Sequence, residues 1–235
     1  MGWKYLLGIF FCAVIVFAGF KFQQENVNAQ HLSGDNDKPI GEFAPTFYRI
    51  LDESASEDED WEGEEATEPI LTPGGTLIAK VEPSFKRHLD IEGSGRLRDG
   101  RVVNFANKSG GEWRYFVVKN GAYGVGADGH ALIPYRTIAV DPRVIPLGTV
   151  LYIPALVGIK LPSGEIHDGY VFAHDTGQGI LGNRIDVFVG FENDVYNTFT
   201  RSRKIRDMRP TEIYKVSEET ADKVNARFED QFDRE

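Results

Sequence analysis

Residues 171–188 read VFAHDTGQGILGNRIDVF and join two short apolar runs through a glycine-rich loop. The first run ends at Asp175, and the second begins around Asp186, eleven residues later. Three of the six residues from Gly177 to Gly182 are glycine, which accepts left-handed backbone and lets a ligand approach closely. If both runs are strands, the two carboxylates lie at facing strand ends and can share one site. Aspartates that only cap turns would give the same pattern.

A second informative stretch, residues 138–149, reads IAVDPRVIPLGT. Pro142 and Pro146 fix φ and cannot donate hydrogen bonds to a β-ladder, so Asp141 lies where a strand stops and the chain turns. A carboxylate at such a point accepts backbone N–H groups nearby. The residues alone therefore favour a local structural role for Asp141.

From Pro69 onward, short apolar runs alternate with turn signals such as Asp99-Gly100 and Ser163-Gly164. The expected strands are 77–81, 89–91, 101–105, 115–118, 137–140, 150–153, 170–174, 185–189 and 212–216. Many short strands with tight turns indicate a β-barrel or sandwich. Ser217 is expected to cap a C-terminal helix whose apolar face packs on the domain.

The N-terminus has the pattern of an export signal. Lys4 precedes sixteen uncharged residues, 5–20, and Val27-Asn28-Ala29 then offers residues small enough for cleavage before Gln30. We therefore interpret residues 1–29 as a signal peptide or an uncleaved membrane anchor. The chain would then face the periplasm or the exterior, either free in the envelope or held at the inner membrane. Cys12 is the only cysteine, so no intramolecular disulfide can form.

The net charge of −10 comes from one segment, because residues 52–68 hold ten acidic residues and no base. The rest of the chain is formally neutral, and no basic surface points to nucleic acid. Like-charge repulsion predicts that residues 30–68 form a flexible acidic linker, with the apolar residues of 39–51 docking locally. A docking or autoinhibitory tail is the alternative. Residues 69–235 are expected to form the globular domain.

The motifs around the three aspartates resemble the 3D domain, which is named for three aspartates. The matching elements are Asp141-Pro142-x-x-Ile145-Pro146-Leu147-Gly148-Thr149, Asp175-Thr176-Gly177 and Gly182-Asn183-Arg184-Ile185-Asp186. Residues 91–102 also resemble a segment of the membrane-bound lytic transglycosylase A family, whose C-terminal part is a 3D domain. The resemblance covers residues 89–191, with its core motif in 137–191.

This resemblance implies a mainly β fold, a six-stranded double-psi β-barrel with small additional β elements and a C-terminal helix. It implies peptidoglycan glycan strands as the substrate, cut at the β-1,4 bond between N-acetylmuramic acid and N-acetylglucosamine. The products would carry 1,6-anhydro ends, and the chemistry would need no metal or nucleotide. The third aspartate of the motif is the family's catalytic acid, which implies this role for Asp186 and places Asp175 as its carboxylate neighbour.

Further residues of the motif are expected to complete the site. The resemblance assigns supporting roles to Asp141, Thr176, Gly177 and Asn183, and substrate contacts to Gly179, Gly182 and Ser94. The resemblance also implies that the glycan strand is held in a groove, and two departures affect that groove. The chain is too short for the family's full second domain, and the glycine-rich loop lacks the lysine often found there. A glycosidase that uses water and a non-catalytic wall-binding barrel both stay open as alternatives.

Two histidines adjoin aspartates and raise the question of a metal site. His167 precedes Asp168, and His174 precedes Asp175. Because consecutive strand residues face opposite sides, His174 should point away from Asp175. We therefore predict no metal ligands at the three-aspartate site.

Overall fold

The computed structural model describes residues 37–54, 65–119, 122–191, 196–205 and 208–232. The predicted signal or anchor, residues 1–29, and the middle of the acidic run lie outside these ranges. No helix in the described ranges is both long and apolar enough to cross a membrane.

The described part of the chain is mainly β. Its strands in chain order are β1 (Lys38–Asp52), β2 (Glu68–Leu71), β3 (Leu77–Val81), β4 (Ser94–Arg96), β5 (Val102–Ser109), β6 (Glu112–Val117), β7 (Thr137–Val140), β8 (Val150–Tyr152), β9 (Tyr170–Asp175), β10 (Arg184–Phe191) and β11 (Thr211–Lys215). Helix α1 (Pro83–Glu92) lies between β3 and β4, and α2 (Glu218–Phe232) follows β11.

Six strands pair in a ring, in the order β10-β7-β9-β8-β11-β1, and β1 pairs again with β10. The apolar side chains inside the ring, among them Phe43, Ile138, Val187 and Ile213, form the largest buried cluster. The predicted mainly β fold, a six-stranded barrel with a C-terminal helix, is confirmed by this ring. Ser217 caps α2 as expected, since its Oγ accepts the Thr220 amide at 3.3 Å.

The predicted linker over residues 30–68 is wrong for residues 38–52, which form β1. This strand pairs in parallel with β10 and antiparallel with β11, so it completes the ring. Apolar side chains alternate along it, with Phe43 only 1% exposed, and this period of two is what a half-buried strand requires. The sequence prediction treated residues 30–68 as one acidic segment, so the alternation of apolar residues within 38–52 was not recognised.

The acidic run is also anchored at its start. Asp52 forms an ion pair with Arg96, and Glu53 accepts the backbone N–H of Arg98 at 2.8 Å. Both acids are buried. The predicted like-charge mobility therefore fails at these two positions, because each carboxylate has a partner from the β4 end.

A second group of strands extends from the end of β1. Strand β4 pairs with β1, β5 with β4, and β6 with β5, while β2 and β3 form a separate hairpin. The strand predicted over residues 89–91 is wrong, because these residues belong to α1. Pro83 starts this helix with a fixed φ, and Gly93 ends it in the left-handed conformation at φ 81°.

Candidate functional site

The ring strands bring two of the three motif aspartates into one row. Thr46 on β1 pairs with Asp186 on β10, Asp186 with Ala139 on β7, and Ala139 with Asp175 on β9. Two strand spacings separate the backbones of the two aspartates, about 10 Å. Ala139 lies between them and contributes only a methyl group.

Asp175 is held by three hydrogen bonds. The Tyr48 hydroxyl donates to Oδ2 at 2.8 Å, and the backbone amides of Thr176 and Ala127 donate to Oδ1 at 2.8 and 3.2 Å. Burial raises the pKa of the Asp175 carboxyl above its ordinary value, and these three donors oppose that rise. Asp175 therefore keeps its proton to a higher pH than an exposed aspartate.

Asp186 is half-buried and is oriented by β1. The Thr46 hydroxyl donates to Asp186 Oδ1 at 2.8 Å. Tyr48 lies two residues along the same strand, close to both carboxylates. Its phenol has a raised pKa, mainly because it is buried and next because of the charge of Asp175, with a smaller effect of Asp186. Tyr48 consequently stays a neutral donor.

Sequence reasoning missed Thr46 and Tyr48 because both lie in the segment assigned to the linker. A signal was present, since Thr46 and Tyr48 alternate with apolar neighbours that face the core. Residues spaced by two share one face of a strand, so a strand assignment for residues 38–52 would have placed both side chains together.

Asp141 has a different role from the other two aspartates. Arg143 donates to it from Nε at 2.9 Å and Nη2 at 2.7 Å, and the Gly182 amide donates to Oδ2 at 2.9 Å. These contacts, led by the Arg143 side chain, hold the pKa of Asp141 far below its ordinary value. Asp141 thus stays ionised and ties the turn after β7 to the glycine-rich loop; the local structural role agrees with its position at a strand end directly before Pro142.

Other motif residues shape that loop. Asn183 donates from Nδ2 to the Glu42 carbonyl at 3.2 Å, and the Gly179 carbonyl accepts Arg184 Nη1 at 3.1 Å. These two contacts, with the Gly182 amide on Asp141, fix the loop against β1 and β10. Gly179 and Gly182 were expected to contact the substrate. Their partners here are protein groups, so that role stays a prediction.

A cavity of about 490 Å³ opens beside Asp175. Its walls come from the start of the glycine-rich loop, the 125–129 turn and the β4–β6 strands. The predicted residues Ser94, Asp175, Thr176 and Gly177 line it together. Asp186, Asp141 and Asn183 are absent from this lining.

Aromatic side chains form one wall of the cavity. Phe105 and Phe116 are 39% and 38% exposed, and the Phe105 ring meets the Trp113 ring edge-on at 4.7 Å between centroids. Exposed aromatic rings opposite polar groups suit a ligand with apolar faces and polar edges. Trp113 both packs on the core of the β4–β6 strands and lines the cavity.

Both ring nitrogens of His167 are paired with protein groups. Its Nε2 lies 2.8 Å from the Tyr135 carbonyl, and its Nδ1 accepts the Gly169 amide at 2.9 Å. Asp168 pairs with Arg136 and, at 3.0 Å, with Arg227. These two residues are therefore structural.

Comparison with known proteins supports the motif. Residues 136–207 match the family model of the 3D domain. The predicted 3D resemblance is thereby confirmed for this region. Putative cell wall shaping protein YabE of Bacillus subtilis is 37% identical over 71 residues, which are 30% of this chain and 14% of that protein. Cell wall-binding protein YocH of Bacillus subtilis is 42% identical over 62 residues, 26% of this chain and 17% of that protein. The matched region thus spans 14% of one relative and 17% of the other.

Solved structures with a similar chain trace include lytic transglycosylases. MltA from Escherichia coli is 13% identical with a TM-score of 0.42, over 75% of this chain and 72% of that chain. The membrane-bound lytic murein transglycosylase from Agrobacterium tumefaciens is 14% identical with a TM-score of 0.43, over 80% and 76%.

Proposed function

We propose that this protein is a peptidoglycan-cleaving enzyme of the cell envelope, a lytic transglycosylase in which Asp186 acts as general acid and then as general base. The single observation that carries the proposal is that Thr46, Asp186 and Asp175 lie in one row across the ring strands. Tyr48 is close enough to both carboxylates for each to raise the pKa of its phenol. The 3D motif and the cell-wall names of the two relatives support it.

The chemistry assigns Asp186 two successive proton transfers. Its carboxylic acid protonates the oxygen that leaves N-acetylmuramic acid C1 as the glycosidic bond breaks. The C6 hydroxyl of the same sugar then bonds to C1, and the ionised Asp186 accepts the hydroxyl proton. Intramolecular attack has a high effective molarity, so no positioned water is needed. Thr46 supports both steps by fixing the orientation of the carboxyl group.

In this proposal Asp175 is a second carboxyl group that influences the electrostatic environment of Asp186. An ordinary glycosidase needs a second carboxylate as nucleophile or water activator. Here the second carboxyl has a raised pKa and accepts three hydrogen bonds, so it suits a positioning role more than nucleophilic attack. The aromatic wall beside it offers stacking surfaces for a glycan strand.

A non-catalytic wall-binding barrel is the second candidate. It is favoured by one observation, the 42% identity to a protein named for cell wall binding. Such a module would use the same groove without needing Asp186 as a proton donor. A water-using glycosidase is the third; in it water instead of the C6 hydroxyl would attack C1, and the products would carry reducing ends.

The deciding experiment treats purified sacculi with the full-length protein and identifies soluble products by mass spectrometry. Anhydro-muramic ends support the transglycosylase, and reducing muramic ends support the glycosidase. Sacculus binding without any product supports the wall-binding module.

The matched variants are Asp186→Asn and Asp222→Asn, the latter an exposed aspartate on α2. General acid–base catalysis contributes ~100- to 10,000-fold, so product release by Asp186→Asn should fall by that factor while sacculus binding persists. Asp222→Asn should behave as wild type. Near-normal release of anhydro products by Asp186→Asn would eliminate the mechanism.

We also propose that the domain works outside the cytoplasm, because both relatives are named for the cell wall and Lys4 with residues 5–20 has the pattern of an export signal. A reporter that is active only after export, fused behind residue 235, should be active. The matched control lacks residues 1–29 and should be inactive. Activity of a cytoplasm-only reporter at the same position would contradict this location.

A further inference from the structure

A cluster that the proposed chemistry does not use lies on the other face of β9 from Asp175. It consists of Asp128, His130 and His174, whose candidate ligand atoms all lie within 4.8 Å of one another. Asp128 Oδ2 lies 3.1 Å from His130 Nδ1 and 3.9 Å from His174 Nε2. His174 points away from Asp175, as strand alternation predicts.

The cluster contains buried polar atoms with no hydrogen-bond partner in the described part of the chain. These atoms are Asp128 Oδ2 and His174 Nδ1, and the His174 side chain is only 4% exposed. Leaving a buried acceptor unpaired costs about 1–3 kcal/mol, and more for a charged group. Asp128 Oδ2 lies at ion-pair distance from His130 without a hydrogen bond to it, and a cation between the carboxylate and the two imidazoles would satisfy this oxygen.

The donor set also has the right chemistry and size for a metal. Two imidazoles and a carboxylate suit Zn²⁺ and similar transition-metal ions, whereas Mg²⁺ and Ca²⁺ prefer oxygen ligands alone. Ligand atoms about 2.1 Å from a tetrahedral Zn²⁺ lie about 3.4 Å from one another. The distances of 3.1 and 3.9 Å bracket this value. His130 is 46% exposed and gives an ion access from solvent.

We propose that Asp128, His130 and His174 bind one divalent transition-metal ion of the Zn²⁺ type. The ion is structural, and no step of the glycan chemistry passes through it. It clips the 126–130 turn to β9, where the Asp128 amide already donates to the His174 carbonyl at 3.2 Å. The adjacent Ala127 amide contacts Asp175, so the clip fixes one donor of the neighbouring site.

A purely aromatic role is the competing explanation. The His130 and His174 rings stack at 4.5 Å between centroids, and both meet Phe232 of α2 edge-on. His130→Phe separates the two explanations because it keeps an aromatic ring in this stack and removes a metal ligand. Asp128→Asn removes the negative charge at nearly constant shape.

The test is calorimetric titration of the full-length, tag-free protein in mild detergent with ZnCl₂, and with MgCl₂ as the hard-cation control. Wild type should bind one equivalent of Zn²⁺, and excess Mg²⁺ should not compete. His130→Phe and Asp128→Asn should each weaken Zn²⁺ binding at least tenfold. His88→Gln, which changes a histidine on α1 outside the cluster, should bind as wild type.

The melting temperature gives a second readout. Zn²⁺ should raise it for wild type and for His88→Gln, and should leave it unchanged for His130→Phe. Absence of Zn²⁺ binding by wild type, or equal binding by wild type and His130→Phe, would overturn the proposal. Equal binding would assign the ion to other acidic segments and leave the histidines as aromatic packing. Neither readout depends on glycan cleavage, so the proposal is tested separately from the proposed function.

Discussion

Tyr48 on β1 affects the protonation of Asp175 through a hydrogen bond. Its hydroxyl donates to Asp175 and lowers the pKa of that carboxyl, which burial raises. Tyr48→Phe keeps the ring and removes the donor, so the pKa of Asp175 should rise further. A ¹³C NMR titration of the aspartate carboxyls measures this shift. Tyr196→Phe, at an 81% exposed tyrosine, is the matched control and should leave Asp175 unchanged. A lower pKa for Asp175 in Tyr48→Phe would contradict the assignment.

Asp141 should contribute to stability in the opposite pH range from Asp175. Its folded-state pKa is held below the ordinary value of 3.8, so its contribution is present above pH 3.8 and is lost as the pH falls below it. The raised pKa of Asp175 has the opposite sign: its favourable contribution is present at acidic pH and is lost as the pH rises through the folded-state value.

Asp141→Asn should therefore lower the free energy of unfolding at pH 7, and the difference from wild type should shrink between pH 4 and pH 2. Urea unfolding at several pH values measures it. Asp222→Asn serves again as the exposed control and should show no such trend. A difference that grows on acidification would show that Asp141 is not stabilised in its ionised form.

At the scale of elements, β1 should behave as part of the core. Phe43→Ala removes a side chain that is 1% exposed inside the ring, so the free energy of unfolding should fall by ~3–5 kcal/mol. Ile91→Ala, at a 74% exposed position, should change it by less than ~0.5 kcal/mol. Chemical denaturation of both variants gives the comparison. A small effect of Phe43→Ala would restore the linker interpretation for this segment.

The 126–130 turn approaches β9 too closely for any side chain at its first position. A Cβ on Gly126 would lie 2.4 Å from the His174 carbonyl oxygen, which is a backbone atom that cannot turn away. Gly126→Ala should lower the free energy of unfolding by about 1–3 kcal/mol, as overpacking does. Gly74→Ala, where the nearest atom is 3.9 Å away, is the control. Equal stability of the two variants would show that the turn is free to move.

Local patterns predicted some elements well and others poorly. Residues 77–81 and 137–140 are strands with the predicted limits. Each is a short apolar run with turn residues on both sides. The apolar residues around Leu89 lie in α1 instead, where Pro83 and Gly93 give the helix its ends. A three-residue apolar run does not distinguish the two periods.

The site was predictable where a motif marks it and hidden where it does not. Asp175 and Asp186 stand in a recognisable spacing, and their loop has the expected glycines. Thr46 reaches Asp186 from 140 residues away, and no local pattern encodes a contact at that separation. The partners of the two carboxylates therefore required the three-dimensional register of β1.

At the scale of the whole molecule, the 3D match is smaller than the unit that folds. Residues 136–207 contain β7, β8, β9 and β10, whereas β1 and β11 lie outside them and complete the ring. A fragment of residues 69–235 should thus expose unpaired edges of β10 and β11.

That fragment should unfold without a cooperative thermal transition, whereas a fragment of residues 37–235 should retain one. Near-ultraviolet circular dichroism follows both. Equal cooperativity of the two fragments would show that β1 adds to the barrel without completing it. Each fragment keeps α2, and the two differ by residues 37–68, which contain β1 and the first residue of β2.

The long separation between β1 and β10 also sets an order in time. A ribosome adding about 5–20 residues per second needs roughly 7–28 s to proceed from Thr46 to its partner Asp186, 140 residues later. During that interval Phe43 and its apolar neighbours have no ring to enter, and exposed apolar surface of this kind is prone to aggregation. Thr46 can donate to Asp186 only after β10 has been made, so a chain that ends before β10 lacks the contact that orients the proposed acid.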